Sequence, residues 1–184
     1  MSIEMIKKSA LAAVAGCSIL AVASVSAQTI IPDPPNNPYT FEGTTRLDTP
    51  LGIYICDLSL TGNVDKGSSP SDLFGTVTVT GGSVSGSFPC GLITLDNLPW
   101  GSTDNGEVLT DGSGAIVTLT NIGASAPFNL LDCDGDITVP FNNDSTASNF
   151  DLEGASFGGC TFTANASGQN VLYADPSNNV QVQP

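Results

Sequence analysis

The sequence predicts an all-β protein, an antiparallel β-sandwich of about 8–10 short strands stapled by two disulfides. Three observations predict it. Apolar and polar residues alternate with period two through most of the chain after residue 27, as in Thr76-Val77-Thr78-Val79-Thr80. Gly, Pro, Asn, Asp and Ser interrupt those runs every 8–12 residues or so, and nowhere do apolar residues recur at helical spacing over about three turns. Four cysteines, Cys56, Cys90, Cys133 and Cys160, are spread over the same region.

The elements follow in order. Lys7 and Lys8, the alanine-rich run Ser9 to Val25 and the small residues Val25-Ser26-Ala27 read as an export signal spanning 1–27, cleaved before Gln28. The run is short and rich in Ala rather than Leu or Ile, which argues against a retained membrane anchor. Val14-Ala15-Gly16-Cys17 also matches a lipoprotein cleavage box, with Cys17 as the lipidated residue, but would leave only a stub of apolar segment before it. Residues 28–38 hold four prolines and form an arm rather than a core strand; such an arm either frays or docks on a neighbouring subunit. A single domain spans 39–175, and 176–184 is a tail.

Within that domain, Tyr39 to Leu47 is the first strand and Ile53 to Val64 the second. In the second, Ile53, Ile55, Leu58 and Leu60 break the alternation near Cys56-Asp57, which predicts a bulge there. Asp65 to Asp72 is a loop. Phe74 to Thr80 is a strand, Gly81-Gly82 a turn, and Val84, Gly86 and Phe88 the return strand of a hairpin that delivers Cys90. Phe88 and Trp100, the only tryptophan, are read as core anchors. A short strand at Glu107 to Leu109 precedes clear strands at Ala115 to Ile122 and Phe128 to Val139. Ser148 to Phe157 and Cys160 to Ala166 complete the sheet, and Asn170 to Tyr173 is an edge strand.

Removing the first 27 of 184 residues leaves 157, one domain with a sizeable core. That segment carries 17 acidic residues against Arg46 and Lys66, a formal net charge of −15. Such a surface repels nucleic acid and anionic membrane. An even number of cysteines in an exported chain reads as two disulfides. A faint internal echo relates GSVSGSFPCG, ending in Cys90, to LEGASFGGC, ending in Cys160. It favours Cys56–Cys90 and Cys133–Cys160 among the three pairings four cysteines allow.

Little in the chain points to catalysis. It has no histidine, which excludes His-based acid–base chemistry and a Ser-His-Asp triad, and no thiol is left over as a nucleophile. Carboxylates alone could cleave glycosides, but no acid–nucleophile pair stands out and aromatic sugar platforms are scarce. The most ligand-like stretch is Asp132, Asp134 and Asp136, whose spacing resembles the start of a calcium loop. Ile137 then stands where that loop needs glycine, and on a strand all three carboxylates would simply face water. The reading is therefore no resident cofactor, with calcium as the one candidate. Asn143 and Asn165 begin sequons to which a bacterial export signal gives no role.

The ordered set of Cys56, Thr76 to Thr80, the Phe88-x-Cys90-Gly91 turn, Leu92-Ile93, Asn97-Leu98-Pro99-Trp100 and a second cysteine pair resembles the exported protein activators of alkane oxidation of Gram-negative bacteria. The resemblance covers most of 40–166. It implies a secreted or cell-surface, non-catalytic protein that assists hydrocarbon use or the building of biofilm and surface matrix. It supplies no catalytic residues. An alternative is a self-assembling extracellular filament, in which the arm or an edge strand joins one copy to the next.

Overall fold

The computed structural model describes residues 29–66, 74–101, 106–164 and 170–184. The leader at 1–27, Cys17, Gln28, most of the loop ending at Asp72 and the sequon at Asn165 lie outside them. The strands among the described residues are β1 (Thr29–Ile31), β2 (Tyr39–Thr49), β3 (Gly52–Asp65), β4 (Phe74–Ser85), β5 (Thr94–Asp96), β6 (Gly106–Val108) and β7 (Gly114–Ala126). They continue with β8 (Leu131–Asn142), β9 (Asn149–Asp151), β10 (Ser156–Phe157), β11 (Cys160–Phe162), β12 (Val171–Ala174) and β13 (Gln181–Gln183).

The pairing order β2-β12-β9-β8-β7-β6-β4-β3 returns to β2, because β2 and β3 also pair along their full length from Tyr39–Gly62 to Thr49–Gly52. The fold is all-β, antiparallel and carries two disulfides, but it is a closed eight-stranded barrel and not a sandwich. Closure removes the free edges that a sandwich would leave. Residues 171–174, expected at an edge, pair on both sides, with β2 and with β9.

Two seams are stitched by short pieces. Between β4 and β7, β6 fills one half; β5 and a bridge between Val79 and Trp100 fill the other. Between β2 and β8, β12 and β9 fill one half and the β10–β11 flap covers the other. Where the β2 ladder runs out, Asn170 replaces it. Its fully buried side chain accepts from the Arg46 N–H at 3.0 Å and donates to the Arg46 carbonyl at 3.3 Å. Gly43 is required at the same seam, because a Cβ there would overlap the Val171 carbonyl oxygen.

Two local expectations fail for instructive reasons. The Gly81-Gly82 turn does not form: β4 runs straight through it to Ser85, and the irregularity is a bulge opposite Thr61/Gly62. Gly82 is there for space, since a side chain would strike the Ser59 carbonyl and Leu95. The bulge expected at Cys56-Asp57 is also absent, because β2 and β3 pair without a register shift. Cys56, Leu58, Leu60 and Val64 face inward in strict alternation, while Ile53 and Ile55 point out into solvent.

One end of the barrel is plugged. β1 pairs with β13, so the arm docks on the chain's own C-terminal strand, and Ile30, Val180 and Val182 are buried there. The Asn143 carboxamide accepts from the Val182 N–H and donates to the Val182 and Gly112 carbonyls, fixing β13 in place. Asp111, Asp144 and Asp175 shape exposed turns at this end. Hydrogen bonds from the Ser113 hydroxyl and N–H, from the Thr146 and Ala147 N–H groups, and from the Ser177 hydroxyl and N–H hold their respective carboxyls below the usual range. A depressed carboxyl stabilises the fold above its unfolded pKa of about 3.9 and loses that effect as pH falls through the folded value. Acidification below about pH 4 should therefore loosen this end first. The check is faster amide exchange in 109–114, 143–148 and 175–180 than in the ladder between β7 and β8.

Candidate functional site

Inward-facing residues of an eight-stranded barrel either fill it or leave room for one small ligand. Here both occur. Toward the plugged end the lumen is filled by Phe41, Phe141 and Phe150, packed edge to face with centroids 4.8–6.2 Å apart. Beyond them lies a cavity of about 80 Å³. Leu58 and Ala124 line its walls, Trp100 and Phe157 its flanks, and the half-buried Tyr54 and Ile93 stand toward the other end. Among the described residues no charged side chain lines it.

The sequence explains this interior. Along β3 and β7 every inward position is apolar or small, and Gly123 and Ala124 leave space where a larger residue would complete the packing. Trp100 is 6 % exposed and donates its indole N–H to the Asp96 carbonyl at 2.6 Å. That bond satisfies its polar atom and leaves the ring as apolar wall. Thr45 and Tyr54 are satisfied in the same way, donating to the Cys56 and Leu130 carbonyls. A dry cavity of this kind offers dispersion and area burial, and no acid, base or nucleophile.

The disulfides frame the cavity. Cys56 is joined to Cys90 and Cys133 to Cys160, with Cα atoms 5.6 and 5.9 Å apart. The first holds the loop after β4 over the end of β3. The second ties β8 to β11 where, among the described residues, β10 pairs only with β11 and no ladder reaches β8. Such bonds fit an oxidising, non-cytoplasmic location.

Other expected site residues lie elsewhere. Asp132, Asp134 and Asp136 stand at alternate positions on the outer face of β8, all exposed, about 7 Å apart by strand geometry. Asp136 is used locally, accepting from the Asn121 N–H at 2.8 Å. Among the described residues no group of three or more acidic or sulfur side chains converges on a metal position. Phe88 is not a core anchor: it is 82 % exposed. The return strand that would have turned it inward does not exist, and Gly86, at φ 125°, redirects the chain into the loop that carries it. Missed from sequence were Tyr54 and Ala124 as cavity wall and the outward positions of Ile53, Ile55 and Phe128. The broken alternation at Ile53 and Ile55 was the available signal, and it marks exposure rather than a bulge.

Among the described residues no helix is long and apolar enough to cross a membrane. A family model described as alkane oxidation protein activator PraA/PraB-like matches residues 3–183, nearly the whole chain. No curated protein and no solved structure matches.

Proposed function

The chain belongs to the PraA/PraB-like family of alkane oxidation protein activators, and from that premise we propose that it is an exported, non-catalytic protein that holds hydrocarbon chains inside its barrel. The observation that carries this reading is the uncharged apolar cavity closed in by Trp100, Ala124 and Phe157. Burying a methylene in such a space gains about 0.8 kcal/mol, and the lining carries few polar groups to discriminate against an alkane. Its volume is roughly half the ~150 Å³ that accommodates a benzene ring. It therefore takes a short run of methylenes, the remainder of the chain extending past Tyr54 and Ile93. The protein would assist alkane oxidation by presenting substrate, with the chemistry performed by another protein. Secretion, or display at the cell surface, is supported by the two disulfides and the leader-like sequence of residues 1–27. Hydrocarbon holding in an apolar lumen draws on no cofactor.

The filament alternative is less favoured. The arm that would join subunits is already paired within the same chain through β1 and β13. The biofilm role remains compatible with a secreted barrel but draws on no feature of the lumen.

The test is displacement of a small apolar probe. A short 1-bromoalkane should quench the Trp100 fluorescence of the purified, disulfide-intact protein with one-site saturation, and linear alkanes should displace it while alkyl carboxylates of the same length compete poorly. Absence of saturable probe binding would contradict the proposal.

A further inference from the structure

Of the eight large apolar side chains exposed among the described residues, all but Ile31 and Tyr173 gather at one end. Leu51, Ile53, Ile55, Phe88, Leu92 and Phe128 are all exposed, and all lie at the end opposite the plug. Leu51 and Ile53 sit at the β2–β3 turn, Phe88 and Leu92 on the loop after β4, and Phe128 on the β7–β8 turn. These connections are tied to one another. The Tyr54 hydroxyl donates to the Leu130 carbonyl at 2.8 Å, and the Cys90 sulfur lies 3.1 Å from the Ile55 carbonyl oxygen. They also lead inward, because Tyr54 and Ile93, sequence neighbours of Ile53, Ile55 and Leu92, line the cavity.

Charge thins along the same axis, the nearest carboxylates, Asp48, Asp57, Asp96 and Asp132, standing just behind the apolar end. Residues 49–55, 85–95, 126–131 and 156–161, which make this end, contain no Asp, Glu, Lys or Arg. The opposite end carries Asp33, Asp65, Lys66, Glu107, Asp111, Asp144 and Asp175. The ion pair nearest the apolar end, Arg46 with Asp48 at 3.1 Å, cancels its own charge. Phe128 adds a further indication. Its φ of 62° and ψ of 25° are followed by φ 55° at Asn129, a left-handed pair that suits Asn-Gly rather than a bulky aromatic. The fold accepts that strain to hold a ring that is 90 % exposed and contributes nothing to the core.

We propose that this uncharged apolar end is a docking face for the surface of liquid hydrocarbon, with the acidic remainder of the barrel kept in water. An oil surface is neutral and featureless, so it matches a face without charge or hydrogen-bonding residues. An anionic bilayer and a second copy of this acidic chain are both repelled by the body behind the face. The inference rests on the hydrocarbon-holding reading for the identity of the oil, and places the loading end of the cavity at the interface.

The experiment follows the fall in interfacial tension at a hexadecane drop in water. It compares the wild-type protein, the rim variant Ile53→Ser/Ile55→Ser/Phe128→Asn, and a control, Ile31→Ser/Tyr173→Ser, that removes exposed apolar groups elsewhere. The rim variant should need about tenfold more protein for the same initial rate, while the control behaves as wild type. Phe128→Asn alone should raise the melting temperature and still slow adsorption, which a packing role could not produce. Equal adsorption by rim variant and control would overturn the proposal. So would tighter binding of wild type to phosphatidylglycerol vesicles than to droplets, or a wild-type dimer that the rim variant abolishes. Binding of a short bromoalkane in solution separates the two readings. If it is absent while the rim effect holds, the cavity reading fails and the docking face stands.

Discussion

Replacing Ala124 with leucine is expected to abolish apolar probe binding while leaving the barrel folded. Ala124 lies on β7 opposite Cys133 and Leu95, with its side chain directed into the cavity. Three extra carbons there occupy the space a ligand would take. Overpacking a full core costs about 1–3 kcal/mol, but here the added atoms enter a void, so the stability change should fall at or below the lower end of that range. Loss of even two buried methylenes from the ligand's contacts removes about 1.6 kcal/mol, more than tenfold in affinity. The opposite substitution gives the opposite sign. Leu58→Ala enlarges the same cavity; it should lower stability by about 2–5 kcal/mol yet admit a longer chain. Equilibrium urea unfolding and probe titration of both variants check the pair. Equal probe affinity in wild type and Ala124→Leu would place the binding site outside the lumen.

Removing the Cys133–Cys160 bond by the double substitution Cys133→Ser/Cys160→Ser should lower stability by about 3–4 kcal/mol, from loop-closure entropy over 27 residues. The effect on the site should be larger than for the companion bond. Cys133–Cys160 closes the part of the β2–β8 seam that backbone pairing leaves open, whereas Cys56–Cys90 pins a loop to an already complete ladder. Phe157, in the cavity wall, is stacked on Phe162 at 5.8 Å within the flap that this bond secures. Without it the flap should open, exposing the lumen and weakening probe binding. Cutting Cys56–Cys90 should destabilise by a similar amount and leave the lumen closed. A seam variant that loses stability but keeps full probe affinity would show that the flap is not part of the site.

The strands were largely legible in the sequence, because period-two alternation records which residues face a core. Closure was not. Alternation is the same in a sandwich and in a barrel, and what distinguishes them is whether the edges meet. Here they meet through Phe41–Ala174 and Glu42–Tyr173, pairs separated by more than 130 residues, and through a buried asparagine that no pattern predicts. Family membership was legible from the cysteine and Trp100 block. The candidate site was half legible: Trp100 stood out as a large aromatic, but its place in a cavity wall depends on the small residues Gly123 and Ala124 of β7 in the same seam. Reading large apolar side chains as inward-facing misplaced Phe88 and turned Ile53 and Ile55 into a bulge. These are the residues that form the uncharged end.

The central claim is that an alkyl chain enters the barrel and contacts Trp100. Because Trp100 is the only tryptophan, its fluorescence reports that contact without labelling. Titrating the disulfide-intact protein with a 1-bromoalkane, whose bromine quenches only at contact, tests it most directly. Quenching should saturate, compete with the unbrominated alkane and be lost in Ala124→Leu, while aqueous iodide leaves the buried indole unquenched. Quenching that rises linearly with bromoalkane, or none at all, would contradict it.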